Sequence, residues 1–198
     1  MSLVLFALLT CGAAASGWVA GRTLRAASKT RPDPLALGDL AVVDPLPGFF
    51  FGLGDALSRG GEEALLEGAY VLREEGAPLA SIFVAAGPEG APLVAAFPPP
   101  VKEVFWLERS VAPGALSGPL VLELGGALLE LVRRLPVTID LVGSGVPPLA
   151  REGILYEYRG DGERCALVLA AGGGGLVGLG TVCEQDALER FPGPFRAE

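Results

Sequence analysis

"CALVLAAGGGGLVGLG", residues 165–180, is the stretch whose reading decides the fold. Apolar residues run into glycines, and Gly173, Gly175 and Gly178 fit the spacing G-x-G-x-x-G of a dinucleotide phosphate loop. Such a loop needs a helix opening at its third glycine, inside a βαβ unit, with an acidic residue about 20 positions on. Here "LVGLGTV" follows, and its apolar and β-branched residues have strand character. The run therefore predicts a hairpin, and no cofactor is expected.

An internal repeat supports that choice. "EGAYVLREEGAPLASIFVAAGPEGAPLVAAF" (67–97) can be laid on "EGILYEYRGDGERCALVLAAGGGGLVGLG" (152–180) at an offset near 85 residues. Glu67-Gly68 meets Glu152-Gly153, Arg73 meets Arg159, Gly76 meets Gly162, and Ala85-Ala86-Gly87 meets Ala170-Ala171-Gly172. Upstream, "LALGD" (35–39) meets "LELGG" (122–126). The glycine run then falls on "GPEGAP" (87–92), a turn between two apolar strands. The expected fold is mainly β: two tandem related β units packed as one body, after a single N-terminal transmembrane helix. The boundaries are 1–21 for the anchor, 22–34 for a basic and polar linker, 35–118 for the first unit, and 119–198 for the second unit with a short C-terminal helix.

Charge is distributed unevenly. Arg22, Arg25, Lys29 and Arg31 all precede the first acidic residue, Asp33, so the head is +4 while residues 33–198 are −12. An acidic body repels nucleic acid and anionic lipid, so no nucleic-acid partner is expected. The segment 3–21 has no charged residue, and about 20 apolar residues span a bilayer core. Trp18 suits the interface, and the basic cluster follows at once. Ala13-Ala14-Ala15 as a signal-peptidase site and "LLTC" as a lipoprotein box are the competing readings. Both want a positive n-region, and only Met1-Ser2 is there. The flanking charges predict a retained single-pass anchor in the inner membrane with the body cytoplasmic; an exported, anchored protein is the alternative. Gly17 and Gly21 form a G-x-x-x-G pair through which two anchors can associate.

Strands are expected at 37–44, 67–74, 79–86, 92–97 and 102–108, and at 119–124, 127–134, 136–142, 152–159, 164–171 and 175–182. Gly125-Gly126 suits a tight hairpin. A short helix is expected around "EEALL" (62–66), and a terminal one over Glu184–Phe191.

The order of features resembles a bacterial family, domain of unknown function 4178. Its members carry an N-terminal span, then L-x-x-G-D, then V-x-G-x-L…E-G, and later Y-x-x-Y-x-G-x-G…L. Here these read as Leu35-Ala36-Leu37-Gly38-Asp39, Leu66-Glu67-Gly68 to Gly76, and Tyr156-Glu157-Tyr158-Arg159-Gly160-Asp161-Gly162. The resemblance covers roughly residues 35–193. The chain departs from it where the family has a Trp followed by Glu in the third strand and W-L-S-V-E in the fourth, for this sequence has "PLASIFV" and "PLVAAF". The resemblance implies no catalytic residues. It implies gene neighbours that are small multi-span membrane proteins and polyamine-synthase-like proteins.

Little in the sequence points to catalysis. There is no histidine, which removes the usual general base and the commonest metal ligand. Ser144 in "GSG" lacks the glycine two residues earlier that a nucleophile elbow needs. Cys11, Cys165 and Cys183 lack C-x-x-C spacing. A Cys165–Cys183 disulfide would favour the exported reading. Glu62-Glu63, Glu74-Glu75 and Asp161-x-Glu163 lie in or near turns without the D-x-D-x-D-G pattern of a calcium loop, and no metal is expected. Lys102 is the body's only lysine. Tyr156 and Tyr158 share one strand face with Ile154, as half-buried packing or as an exposed contact surface. The expected function is that of a non-enzymatic accessory or interaction protein acting on another membrane protein. A small-ligand-binding or enzymatic domain with its site between the two units is the alternative.

Overall fold

Three Gly-Gly pairs set the local geometry. Gly60-Gly61, Gly125-Gly126 and Gly172-Gly173 all have positive φ. Two consecutive left-handed residues make the type I′ turn whose twist matches that of paired strands, so each pair closes a two-residue hairpin. In the computed structural model, which describes residues 46, 48–87 and 91–193, these turns join strands and no α-helix is present among the described residues. The proposed anchor, Gly17 and Gly21, the linker, the 37–44 strand and the Leu35–Asp39 motif lie outside them.

In chain order, β1 (Ala56–Arg59), β2 (Glu62–Glu74), β3 (Ala77–Ala85), β4 (Leu93–Ala96) and β5 (Glu103–Arg109) precede a 3-10 turn at Pro113–Ser117. Then come β6 (Val121–Leu124), β7 (Ala127–Gly143), β8 (Glu152–Arg159), β9 (Arg164–Ala171) and β10 (Gly174–Glu184). A 3-10 turn at Gln185–Ala187 leads to β11 (Glu189–Phe191). The order β2-β3-β4-β5-β10-β9-β8-β7 returns to β2 through antiparallel pairing of Gly68–Arg73 with Thr138–Gly143. Eight strands thus form a closed barrel. Its other long-range seam joins Glu103–Arg109 to Gly178–Glu184. Closure needs sharply curved strands, and glycine provides room for the curvature. A Cβ at Gly180 would run into the Trp106 carbonyl across that seam.

The two long strands do more than close the barrel. The first residues of β2, Glu62–Leu65, pair with β1, and those of β7, Ala127–Glu130, pair with β6. Each forms a ribbon that covers part of the barrel wall from outside. Three cores result. Tyr70, Leu72, Ile82, Leu93, Phe105, Leu107, Leu155, Leu167 and Leu169 fill the lumen. Phe51, Leu57, Leu66, Phe83, Val94 and Trp106 pack on one outer side, and Leu122, Leu124, Leu129, Tyr156, Tyr158 and Val168 on the other. This double burial explains why "CALVLAA" and "SIFVA" show no polar alternation: both of their faces are covered.

Three expectations on local structure are corrected. "EEALL" is strand, not helix: Ala64 and Leu66 are buried while Leu65 is 46 % exposed, a period of two set by pairing with β1. The packing of that alternating face outweighs the helix propensity of Glu, Ala and Leu. The expected strands 127–134 and 136–142 are one strand, unbroken by Pro136. The Ile139 N–H donates to the Arg151 carbonyl beside β8, so alternation turns the Pro136 nitrogen away from β8. There it faces the interval between the β6 and β2 pairings, where among the described residues no strand pairs with it. The terminal helix is a three-residue 3-10 turn followed by β11, which pairs with β1.

Candidate functional site

Strand alternation places the chemistry. Tyr156 and Tyr158 point outward from β8, so Leu155, Glu157 and Arg159 point into the barrel. Glu157 is 2 % exposed, which for a carboxylate demands compensation. One of its oxygens accepts from Arg159 (Nε at 2.9 Å) and the other pairs with the Arg133 guanidinium at 2.9 Å. Arg159 also donates to Glu103 at 2.7 Å. The guanidinium of Arg159 lies 4.6 Å from the Phe105 ring centre and that of Arg133 5.5 Å from Phe97. Two acids and two bases, drawn from β5, β7 and β8, therefore close one end of the lumen over an aromatic floor. Burial works against the charge on Arg159, but its hydrogen bonds to Glu103 and Glu157 outweigh this and raise its pKa. Every charge in the cluster has a partner.

Cys165 sits beside this cluster, fully buried. Burial pushes its thiol up to about 12, against a smaller lowering by Arg159. The thiolate is the reactive form, so Cys165 is inert at neutral pH. Cys183, whose pKa burial also raises, packs on an outer core while Cys165 lines the lumen. The two are free and on opposite faces, so the disulfide that would favour export is not formed. Thiol reagent at pH 8 is expected to leave Cys165 unmodified in the native protein and to label it on unfolding. Because its folded pKa lies above the unfolded value of 9.0, stability should fall as pH rises from about 9 towards 12, where only the unfolded chain loses the proton. Labelling counts and alkaline melting curves measure both.

No known family, curated protein or solved structure matches this chain.

The remaining sequence candidates fall in separate places. Tyr156 and Tyr158 are 3 % and 0 % exposed, under β6 and the Pro113–Ser117 turn. The Tyr158 hydroxyl donates to the Pro119 carbonyl at 3.0 Å, and a Cβ at Gly118 would run into the Tyr156 ring. As a contact surface the pair is covered. The glycine run is the β9–β10 hairpin: Gly173 is in the turn, while Gly175 and Gly178 lie in β10. The depression beside it is lined by Leu116, Ile154, Tyr156 and Glu152 and by no Lys or Arg. Ser144 is exposed in the loop after β7. Lys102 and Asp186 stand 4.0 Å apart, both exposed. Among the described residues, no three His, Cys, Asp or Glu side chains gather as a metal site.

Three surface features emerge only from the structure. A groove of about 380 Å³ over the β5–β10 seam is lined by Arg59, Glu62, Trp106, Glu108, Arg164 and Thr181, with Gly125 of the other ribbon at its edge. Within it the Trp106 indole donates to Glu62 at 2.8 Å and Arg59 to Thr181 at 2.6 Å. A second hollow of about 550 Å³ is lined by Phe49, Phe50, Phe97, Pro99 and Val101. The third is a stripe on the β6–β7 ribbon, where Leu120, Val121, Leu128 and Val132 are 78, 54, 68 and 57 % exposed.

Proposed function

We propose that the chain is a non-enzymatic interaction protein, held at the membrane by residues 3–21 with a cytoplasmic β-rich body, that serves as an accessory to another membrane protein. The observation that carries this reading is the exposed apolar stripe on the β6–β7 ribbon. Large apolar side chains exposed together on one face of a ribbon are a mark of an interaction site. It stands on a body whose lumen is filled by large side chains and whose buried charges at the barrel end are all engaged with one another. The membrane placement rests on the charge-free segment and the basic residues after it.

The body is further read as two related units, 35–118 and 119–198. In support, each half contributes a Gly-Gly hairpin, a long bent strand and three more barrel strands, in the same order, and each has its own outer core. In that correspondence β2 matches β7. The Glu67–Phe97 alignment instead lays β2 on β8, one strand further along. A small-ligand reading is favoured by the β5–β10 groove, which both ribbons border and whose two arginines and two glutamates suit a zwitterion.

Affinity purification of the tagged full chain from detergent-solubilised membranes, read by mass spectrometry, tests the leading reading. The expected result is a membrane protein recovered in proportion to the bait. Recovery of the bait alone counts against it.

A further inference from the structure

The stripe has a definite structure. Val121 lies opposite Glu130 and Glu123 opposite Leu128, so the outward face of the ribbon reads Val121 and Glu123 on β6, and Leu128, Glu130 and Val132 on β7. Apolar and acidic residues are interleaved there without a base. β6 is also a sheet edge: among the described residues its one partner is β7. The Leu131 N–H donates to the Leu120 carbonyl, and alternation assigns the groups of Leu122 and Leu124 to β7 as well. The N–H and C=O groups of Val121 and Glu123 therefore face the open side. Edges are ordinarily guarded by lysine, proline or a covering element. β11, at the other end of the sheet order, is three residues long and followed by Pro192. β6 has an apolar face and no lysine or proline within it.

We infer that β6 is a docking edge for an extended segment of a partner protein in which apolar and Lys or Arg residues alternate, added as an antiparallel strand. This rests on the interaction reading above and names its surface. Backbone bonds to Val121 and Glu123 supply the affinity. Specificity follows from the side chains: an apolar residue beside Val121 and Leu128, and a cation two positions away beside Glu123 and Glu130. A second copy of the chain fits less well, because edge-to-edge pairing brings the glutamates of two strongly acidic bodies together. An anionic lipid surface is repelled for the same reason.

The test uses the full chain in mild detergent and a fluorescent peptide of about seven residues alternating Val and Lys, a typical strand length. Val121→Pro removes an edge-facing N–H without touching the β7 ladder. Leu128→Lys leaves the backbone unchanged, removes the apolar contact and places a cation between Glu123 and Glu130, which lowers the negative charge of the face. Each variant is expected to weaken peptide binding by at least about tenfold, or 1.4 kcal/mol. Added salt should also weaken it, and a Val–Glu peptide should not bind. Unchanged affinity in Leu128→Lys overturns the proposal even if Val121→Pro fails to fold. So does equal binding of the Val–Glu peptide, or a concentration-dependent dimer in sedimentation that Leu128→Lys abolishes. In the membrane purification, a partner retained by Leu128→Lys rejects the edge but keeps the interaction reading. No partner for the unaltered chain rejects that reading itself.

Discussion

Replacing Glu157 with alanine is expected to destabilise the barrel by about 3 kcal/mol, measured by denaturant unfolding. Removing one member of a buried ion pair costs about 3–5 kcal/mol, because the other charge is left without compensation. Here the lower end applies. Arg159 keeps its bond to Glu103, and Arg133, with a side chain 46 % exposed, can turn to water. Replacing the pair together, Glu157→Leu with Arg159→Leu, should recover most of the loss, since desolvation of both charges then disappears along with their attraction. Phe97 and Phe105 give the new side chains an apolar surface to pack on. If the double variant is as unstable as Glu157→Ala, the cluster does more than satisfy its own burial.

The strands around this cluster were largely legible in the sequence. Turn glycines and apolar runs place β3, β5, β8 and β9 within a residue or two of the expected bounds. Closure was not legible. It depends on β2 finding β7 and β5 finding β10, pairings between segments about 65–80 residues apart that no local pattern encodes. The same limit left the choice between packing and contact surface open for the tyrosines. Alternation put Tyr156 and Tyr158 on one face, but what lies on that face, the Pro113–Ser117 turn and β6, comes from elsewhere in the chain. In the sequence Glu157 is inconspicuous, because Y-E-Y reads as two aromatics flanking a solvated acid. The available signal was Arg159 two residues on, hence on the same face, beside Leu155. The apolar stripe was hidden because "VLELGGALLELV" contains enough leucine to cover both faces of a ribbon, and periodicity alone does not say which face meets the barrel.

The largest single effect is expected at Asp55, where alanine should cost about 4–5 kcal/mol and release the C-terminal strand. Asp55 closes a second Leu-Gly-Asp, residues 53–55, which repeats Leu37-Gly38-Asp39. Its carboxylate is fully buried. One oxygen accepts from the Gly52 N–H at 2.8 Å and from Arg190 Nε at 2.9 Å, and the other accepts from the Gly193 N–H at 2.9 Å. Three donors thus converge from both ends of the body, two of them beyond Leu188. The cost exceeds that at Glu157 because three donors lose their acceptor together. The Arg190 side chain is 18 % exposed and the Gly52 N–H is buried, so neither gains much water in exchange. β11 has three residues and, among the described residues, pairs with β1 alone, too little ladder to hold without the clamp. Amide exchange should therefore quicken first at Leu188–Phe191 and in β1. The amides of Leu167–Leu169 in the lumen wall should stay protected until the barrel itself opens. Asp55→Asn keeps the shape and one acceptor but loses the charge paired with Arg190, so it should fall between alanine and the unaltered chain. Uniform exchange across β11 and β9 in Asp55→Ala would mean that the clamp and the barrel unfold as one unit.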